Sequence, residues 1–172
     1  MNKVTCYFDG GCEPINPGGQ ATYGAVVRDE TGAKLFEESG YIGEGPQMSN
    51  NVAEYEGVIA VMKFLIANNL REGIIYGDSM LVVKQLNRKW KAKGGLYLKH
   101  YKHAARLRQQ LPKIEIVWIP RAQNAEADYL ARQAVRETLT TTKRRRELIH
   151  LIRQQKADQR ETERRMMDKL FL

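Results

Sequence analysis

The amino-acid sequence predicts an α/β fold, because three strand-like segments come first and helical and strand-like segments then alternate. Residues 3–9 alternate their side chains with the period of a strand, and residues 21–28 and 33–42 are further strand candidates. Short, turn-forming connections between these three segments favour an antiparallel meander. From residue 51 onward, apolar side chains recur at helical spacing instead.

The segments after the meander are expected to extend the sheet and to cover it with helices. Val52, Tyr55 and Ile59 mark the first long helix, at residues 51–69. The further elements expected are a strand at 74–78, a helix from about residue 79, a helix near 96–111, a strand at 114–119 and a helix at 124–138. A long helix precedes the strand at 74–78, so a right-handed crossover should set it parallel to one of the first three.

Length, composition and cysteine content are typical of one ordinary domain in a reducing compartment. The 172 residues are 42% hydrophobic and 28% charged, as in globular proteins. No apolar segment approaches the ~20 residues that span a bilayer, and the first residues do not form a signal-peptide pattern. Cys6 and Cys12 have neither a CxxC nor a metal-ligand spacing. We therefore expect a cytoplasmic protein without a membrane partner.

The formal net charge of +8 favours a polyanionic partner, and its distribution indicates where such a partner would bind. Residues 79–114 contain ten Lys and Arg residues and no Asp or Glu. Trp90, Tyr97 and Tyr101 lie within this basic segment. A solvated helix surface is one interpretation, and a surface for a phosphate backbone is the other. The interleaved aromatic side chains favour the second.

Four acidic residues lie where predicted elements begin or end. Asp9 ends the first strand, ahead of two glycines, and Asp78 ends the fourth. If these strands are parallel neighbours, both carboxylates lie at the carboxyl edge of the sheet, where open α/β sheets place their sites. Glu54 and Asp128 occupy inward-facing positions near the starts of their helices. Four carboxylates are therefore expected at one edge.

Each of these acids also has a purely structural interpretation. Asp9 could belong to a glycine turn, and Glu54 could form a capping box with Asn51. Asp78 and Asp128 could simply start helices, where the dipole favours acids. Taken together, four acids at one edge would repel strongly unless cations neutralised them. Oxygen ligands suit Mg²⁺ or Mn²⁺, and two such ions about 4 Å apart would support phosphodiester hydrolysis.

Four motifs give the chain a family resemblance over about residues 3–138. "YFDGG", "SNNVAEY", "YGDS" and "WIPRAQNAEADYLA" resemble, in order and spacing, the motifs of type 1 ribonuclease H. The resemblance implies a ribonuclease H-like α/β fold flanked by helices. Its five-stranded mixed sheet would join the antiparallel meander to two strands parallel to the first.

The resemblance also implies a reaction and a set of catalytic acids. The reaction is endonucleolytic cutting of the RNA strand of an RNA–DNA hybrid by two metal ions, leaving 5′-phosphate and 3′-hydroxyl ends. Mg²⁺ is the implied cofactor, with two ions when substrate is bound and Mn²⁺ as a substitute. Four residues match the metal-binding catalytic acids of the family: Asp9, Glu54, Asp78 and Asp128.

Substrate contacts are implied where residues match the family. Cys12, Asn16, Asn50 and Asn51 fit positions that touch the minor-groove side of the hybrid. An Asn amide both donates and accepts, which suits contact with a 2′-hydroxyl. Capping of the helix is the alternative for Asn50 and Asn51. Ser49 matches a hydroxyl residue that holds a DNA phosphate.

Three departures from the family pattern concern catalysis and substrate binding. Met80 stands where many relatives place a Gln that reads the RNA strand, and it could instead belong to the core. Residues 119–126 contain no histidine. Arg121 stands there, as in some histidine-lacking relatives, and is predicted to contact a phosphate or the leaving product, a solvated charge being the alternative. The segment between the helices that begin near residues 79 and 96 is short and lacks the long basic protrusion of some members, and Lys89 and Trp90 are expected to replace part of its binding.

The sequence divides into a catalytic domain at residues 1–138 and a basic helical C-terminal extension at residues 139–172. The extension carries ten Lys and Arg residues against five Asp and Glu. Nucleic acid, another protein and a second copy of the chain are left open as its partners, and a charged terminal helix without a partner is the remaining interpretation.

Two other functions remain open from the sequence. A non-catalytic nucleic-acid-binding module could use the basic surface, but it would not need four acids at one edge. A DNA-cutting nuclease of the same superfamily would share the metal carboxylates. It should lack the Asn pair before Glu54 that suits a 2′-hydroxyl.

Overall fold

The computed structural model describes residues 3–138 and 142–170. The chain separates into two compact units, Met1–Arg136 and Glu137–Leu172. The strands are β1 (Lys3–Glu13), β2 (Gly18–Arg28), β3 (Lys34–Gly45), β4 (Glu72–Gly77) and β5 (Lys113–Trp118). The helices are α1 (Asn50–Ala67), α2 (Met80–Leu86), α3 (Leu98–Gln109), α4 (Ala125–Thr138) and α5 (Thr142–Leu170), with a 3-10 turn at Arg121–Gln123. Residues 139–141 and 171–172 of the predicted extension lie outside the described residues.

One five-stranded mixed sheet forms the centre of the first unit, with the strand order β3-β2-β1-β4-β5. β2 pairs antiparallel with both β1 and β3, as expected for strands that short turns connect. β4 pairs parallel with both β1 and β5, across connections that contain helices. The structure confirms the predicted sheet, including the two late strands that run parallel to the first.

Helix α1 is buried along most of its length, which accounts for its apolar sequence. It packs against β1, β2 and α3. Tyr55, Val58 and Met62 are inaccessible to solvent within this core. The Tyr55 ring also stacks on Tyr97 just before α3, with 5.7 Å between the ring centroids. α1 is therefore clamped between the sheet and a second helix.

Gly10 lets α1 approach β1 closely at the level of Asp9. A Cβ atom at Gly10 would lie under 3.0 Å from backbone atoms of Ala53 and Glu54, a separation that real Cβ atoms essentially never show. Any side chain here would therefore push α1 away from the sheet. On the helix, a Cβ atom at Gly57 would lie 2.8 Å from the Asp9 carbonyl oxygen. The glycine contact thus decides where Glu54 lies.

The first strand is longer than predicted. The sequence pattern predicts its end at Asp9, whereas β1 continues to Glu13. β2 pairs with β1 over this whole stretch, but the pairing with β4 stops at Phe8 opposite Gly77. A glycine pair ordinarily indicates a turn, but here Gly10 accommodates α1 while the strand goes on. Asp9 therefore lies where its parallel neighbour ends, inside its own strand.

The second unit contains α5, a single helix of 29 residues. Arg153, Lys156 and Arg160 are exposed along it. Among the described residues, no helix combines the length and the apolar character needed to cross a membrane.

Gly24 of β2 provides a second close contact, which positions α4. A Cβ atom at Gly24 would lie under 3.0 Å from the Ala127 carbonyl oxygen and from the Leu130 Cβ atom. Ser39 also holds α4, because its hydroxyl donates to the Leu130 carbonyl oxygen at 2.6 Å. The helix that carries Asp128 is thus seated directly on the backbone of β2.

We predict that Gly24→Ala destabilises the protein by about 1–3 kcal/mol, because the added methyl group must displace α4. Urea denaturation followed by circular dichroism measures this change. Gly11→Ala is the matched control, since Gly11 lies in the paired strand and a Cβ atom there would meet no atom within 4 Å. Equal denaturation midpoints for the two variants would contradict the packing described.

Candidate active site

Three carboxylates that are far apart in the sequence meet at one edge of the sheet. Asp9 lies in β1, Glu54 in the early turns of α1, and Asp78 directly after β4. One carboxylate oxygen from each residue lies within 4.8 Å of the other two. Because Phe8 pairs with Gly77, Asp9 and Asp78 are the next neighbours on adjacent parallel strands. The close contact at Gly10 adds Glu54 from the helix above.

The surroundings of these acids oppose their negative charge. Asp9 is 4% exposed. Burial, followed by the charges of Asp78 and Asp128, raises the pKa of Asp9 to about 7. Burial, followed by the charges of Asp9 and Asp78, also raises the pKa of Glu54 well above its ordinary value. Glu54 Oε2 is inaccessible to solvent, and no described residue donates a hydrogen bond to it.

This donor set fits a divalent cation. A buried carboxylate oxygen without a partner is unfavourable unless a positive group contacts it. Carboxylate oxygens are the ligands that Mg²⁺ and Mn²⁺ prefer, whereas zinc favours nitrogen and sulfur. Asp9, Glu54 and Asp78 are therefore the residues that could hold a metal ion.

Asp128, the fourth predicted acid, lies beside this cluster and contacts two arginines. Arg121 Nη2 is 2.5 Å from one carboxylate oxygen, and Arg132 Nε is 3.0 Å from the other. Asp128 and Asp9 line the same small cavity, and the charge of Asp128 contributes to the raised pKa of Asp9. The structure thus brings three predicted acids together and places the fourth at their side, paired with the predicted Arg121.

Asn124 joins three elements at the site, although it is not among the site residues predicted from the sequence. Asn124 is 1% exposed. Its Nδ2 donates to the Phe8 carbonyl oxygen at 2.8 Å and to Asp78 Oδ1 at 3.1 Å. Its own backbone carbonyl accepts from the Asp128 amide at 3.1 Å. An Asn ahead of a helix is ordinarily interpreted as a cap, so its spacing does not reveal the contact with Asp78.

Two large apolar side chains lie on the surface near Asp78. Trp118 Nε1 donates to the Asp78 carbonyl oxygen at 3.0 Å, while 41% of the residue stays exposed. Met80 begins α2 and is 36% exposed. The alternative that Met80 belongs to the core is therefore wrong.

The loop after β1 and the start of α1 form one hydrogen-bonded network of predicted substrate contacts. The Asn50 amide donates to Asn16 Oδ1 at 2.9 Å, and Asn50 Oδ1 accepts from the Cys12 amide at 2.7 Å. Ser49 is the N-cap of α1, and its hydroxyl accepts a backbone hydrogen bond at 3.3 Å. Capping therefore falls to Ser49, and the capping alternative for Asn50 and Asn51 is wrong.

The start of α1 and the loop after β1 also determine what the Glu54 carboxylate and the Cys12 thiol can contact. Glu54 lies two residues beyond the capping-box position of this helix, so it does not serve as the box partner of Asn51. Cys12 is 4% exposed, and its thiol donates to the Ile15 carbonyl oxygen at 3.2 Å. Cys12 therefore offers little accessible surface, and its thiol and its amide both already have partners.

Comparison with known proteins agrees with this geometry. A family model described as reverse transcriptase-like matches residues 7–134, which include all four acids. Ribonuclease HI of Halobacterium salinarum is 32% identical over 133 residues, covering 77% of the chain and 64% of that protein. The putative hydrolase EbsB of Enterococcus faecalis is 30% identical over 124 residues, covering 71% of the chain and 87% of that protein. The chain belongs to the type 1 ribonuclease H family.

Solved ribonuclease H structures match the same part of the chain. The N-terminal RNase H domain of Rv2228c from Mycobacterium tuberculosis has a TM-score of 0.69 and 39% identity, covering 76% of the chain and 97% of that domain. LC11-RNase H1, isolated from compost by a metagenomic approach, was solved in complex with an RNA/DNA hybrid. That complex has a TM-score of 0.71 and 35% identity, covering 80% of the chain and 100% of the solved protein.

The mycobacterial relatives are longer proteins. The bifunctional protein Rv2228c of Mycobacterium tuberculosis is 40% identical over 134 residues, which are 77% of the chain and 35% of that protein. The chain thus spans about a third of the length of these mycobacterial relatives.

Lys89 and Trp90, the two remaining predicted substrate contacts, follow α2 and are exposed. Both amides donate to the Lys84 carbonyl oxygen, at 2.8 and 3.2 Å, which shapes the turn after the helix. In the part of the chain that the structure describes, no hydrogen bond or ion pair links these two side chains to the carboxylates. They lie on the basic segment and outside the acidic cluster.

We predict that Asp9→Asn stabilises the metal-free protein at pH 8 and has a much smaller effect at pH 4. The pKa of Asp9 is about 7 in the folded protein against an ordinary 3.8, so folding loses stability as the pH rises between these values. Above pH 7 that loss is complete, and at about 1.4 kcal/mol per pKa unit it reaches a few kcal/mol. Thermal denaturation in EDTA at the two pH values measures the difference.

Asp29→Asn serves as the control with the opposite sign. Hydrogen bonds from Thr31, followed by that from Ala33, hold the pKa of the exposed Asp29 below its ordinary value. Its ionised form therefore favours folding at pH 8, and the Asn variant should be slightly less stable there. A stabilisation by Asp9→Asn of equal size at both pH values would contradict the electrostatic account.

Proposed function

We propose that the chain is a metal-dependent endoribonuclease that hydrolyses the RNA strand of RNA–DNA hybrids, leaving 5′-phosphate and 3′-hydroxyl ends. The convergence of Asp9, Glu54 and Asp78 oxygens within 4.8 Å carries this proposal. Hydrolysis of a phosphodiester needs positive charge at the attacking and leaving oxygens, and a carboxylate cluster holds the cations that provide it. The RNA/DNA hybrid in the complex of the similar LC11-RNase H1 supports the choice of substrate.

Asp9, Glu54 and Asp78 would hold Mg²⁺, with Mn²⁺ as a substitute, and Asp128 would complete the set from α4. Two bound ions would supply an activated water and stabilise the leaving 3′-oxygen. Because burial and neighbouring acids raise the pKa of Asp9 and of Glu54, these groups retain protons that a cation must displace. Metal binding is therefore expected to tighten as the pH rises toward 8.

Arg121 would act on the phosphate or on the leaving product. Its side chain is 64% exposed, and its contact with Asp128 uses one of its two terminal nitrogens. A guanidinium has five N–H donors in a planar fork, so it can hold Asp128 and a phosphate oxygen together. It thereby positions Asp128 beside the cluster and offers a positive group to the substrate.

The network at the start of α1 would face the minor groove of the hybrid. The exposed Asn16 and Asn50 and the half-buried Asn51 offer amide groups, which can both donate to and accept from a 2′-hydroxyl. Cys12 would contribute its backbone, and Ser49 a contact to a DNA phosphate at the helix N-terminus. Since these contacts carry little base information, low sequence preference is expected.

Lys89 and Trp90 would bind the nucleic-acid backbone beyond this groove. Trp90 is 50% exposed, which leaves its ring free to stack on a base or sugar. Lys89 belongs to the segment at residues 79–114 that contains ten basic residues and no acid. Their contribution is expected to weaken with salt.

We predict that the protein cuts RNA–DNA hybrids in Mg²⁺ and that Asp9→Asn and Asp78→Asn each reduce the rate at least about 100-fold. Matched, end-labelled hybrid, double-stranded RNA and double-stranded DNA, incubated with Mg²⁺ and then Mn²⁺, give the measurement. Asp29→Asn removes an exposed acid away from the cluster and should keep full activity.

The outcomes separate the competing functions. Tight binding of the hybrid without cutting in either metal would leave a non-catalytic binding module. Cutting of double-stranded DNA alone would keep the metal chemistry and replace the substrate. Full activity of Asp9→Asn would contradict the assignment of the cluster.

We also predict that Asn50→Ala raises the KM for the hybrid by roughly 10-fold and leaves kcat nearly unchanged. The variant removes the acceptor of the Cys12 amide but keeps the backbone hydrogen bond from Asn50 to Asn16, so the cost is typical of one hydrogen bond. Steady-state cleavage kinetics measure both constants. Asn68→Ala at the far end of α1 is the control, and an equal rise in its KM would contradict the role of Asn50.

A further inference from the structure

A second polar site lies away from the carboxylates, between the end of α2 and α3. It is an open pocket with a volume of about 520 Å³, within the range of small-ligand sites. α2 begins beside Asp78 and rises about 10 Å over its seven residues, so the pocket lies on the order of 10 Å from the acidic cluster. None of the described residues that line it is acidic.

The guanidinium of Arg108 in this pocket is only partly hydrogen-bonded. Its Nη1 donates to the Leu111 carbonyl oxygen, but its Nε is buried and finds no acceptor among the described residues. Burial, followed by the positive charge of Arg88, lowers the pKa of Arg108. Because an arginine stays protonated in proteins, the pocket contains two positive charges in a partly desolvated place.

Arg88 enters the pocket from an unusual backbone position. It follows Asn87, the C-cap of α2, and has a φ of 59°, in the region that glycine ordinarily occupies after a helix. Its amide donates to the Gln85 carbonyl oxygen at 2.9 Å, so the turn is fixed. This turn places Arg88 in the lining of the same pocket as Arg108.

The base of the pocket is already organised by hydrogen bonds. Asn87 Nδ2 donates to the Ile116 carbonyl oxygen at 2.8 Å, which ties the end of α2 to β5. Gln85 Nε2 donates to the Lys91 carbonyl oxygen and to the Tyr97 hydroxyl, both at 3.3 Å. A ligand would therefore bind without a large ordering of side chains.

We propose that Arg88 and Arg108 form a binding site for a phosphate group. Two guanidinium groups present planar forks of donors that match the oxygens of a phosphate. In the described part of the chain neither arginine pairs with a carboxylate. The phosphate belongs either to a nucleic-acid strand or to a small phosphorylated compound, and the site is separate from the proposed catalytic function.

Inorganic phosphate is the first probe, applied to the full chain in EDTA at constant pH and ionic strength. We expect phosphate to raise the melting temperature of the wild type, because a ligand that binds the folded state stabilises it. Arg88→Gly and Arg108→Gln should each lose most of this increase. Arg88→Gly suits the local backbone and should melt at or above the wild-type temperature without phosphate.

Arg106→Gln is the matched control. It removes the same charge from an exposed position on α3, two residues from Arg108 and outside the pocket lining. It should keep the full phosphate-dependent increase in melting temperature. The comparison therefore separates a built site from a general effect of charge.

The salt dependence of hybrid binding, measured in EDTA, distinguishes the two sources of phosphate. Loss of one phosphate contact lowers the slope of log K against log salt by about 0.9. A lower slope in Arg88→Gly and Arg108→Gln, but not in Arg106→Gln, would assign a strand phosphate. An unchanged slope with a lost phosphate response would assign a small phosphorylated compound. Two outcomes would show that the proposal is wrong when both variants keep the wild-type slope. In the first, both variants respond to phosphate as Arg106→Gln does. In the second, phosphate does not raise the melting temperature of the wild type.

Discussion

The contact between α1 and β1 at Gly10 is the constraint on which the rest of the site depends. With no side chain at this position, the helix backbone at Ala53 and Glu54 lies directly against the strand. The apolar layer beneath holds this arrangement, since Phe8 and Val58 are inaccessible to solvent. The core thus fixes the helix at one height and one rotation. The Glu54 carboxylate follows from that placement.

The free energy gained by burying the apolar core offsets the electrostatic repulsion within the acidic cluster. Burial and mutual repulsion raise the pKa of Asp9 and of Glu54, which means that the folded protein is less stable when both are ionised. Such a cluster persists only because the surrounding structure over-determines it. Active sites commonly combine high local strain with a well-packed support, and removal of the strain then gains stability and loses function.

Much of the fold was predictable because it follows from local pattern. The period-two strands, the helical spacing around Tyr55 and the crossover rule are enough to give the mixed sheet and to bring Asp9 beside Asp78. The continuation of β1 was not predictable, since Gly10 has the local appearance of a turn and its role depends on α1. Asn124 was missed for a similar reason: its cap-like position hides a hydrogen bond to Asp78 that only tertiary structure supplies.

The charge balance at the site gives a reason for the two arginines beside Asp128. Fully ionised, the four acids carry four negative charges, against two positive charges on Arg121 and Arg132. The remaining two negative charges equal the charge of one divalent cation, so a single ion neutralises the site. A second cation would leave an excess of positive charge that a substrate phosphate would balance. In the proposed two-metal reaction, this charge count would couple the occupancy of a second cation site to the arrival of the nucleic acid, and the exposed Arg121 would be the group that changes partners.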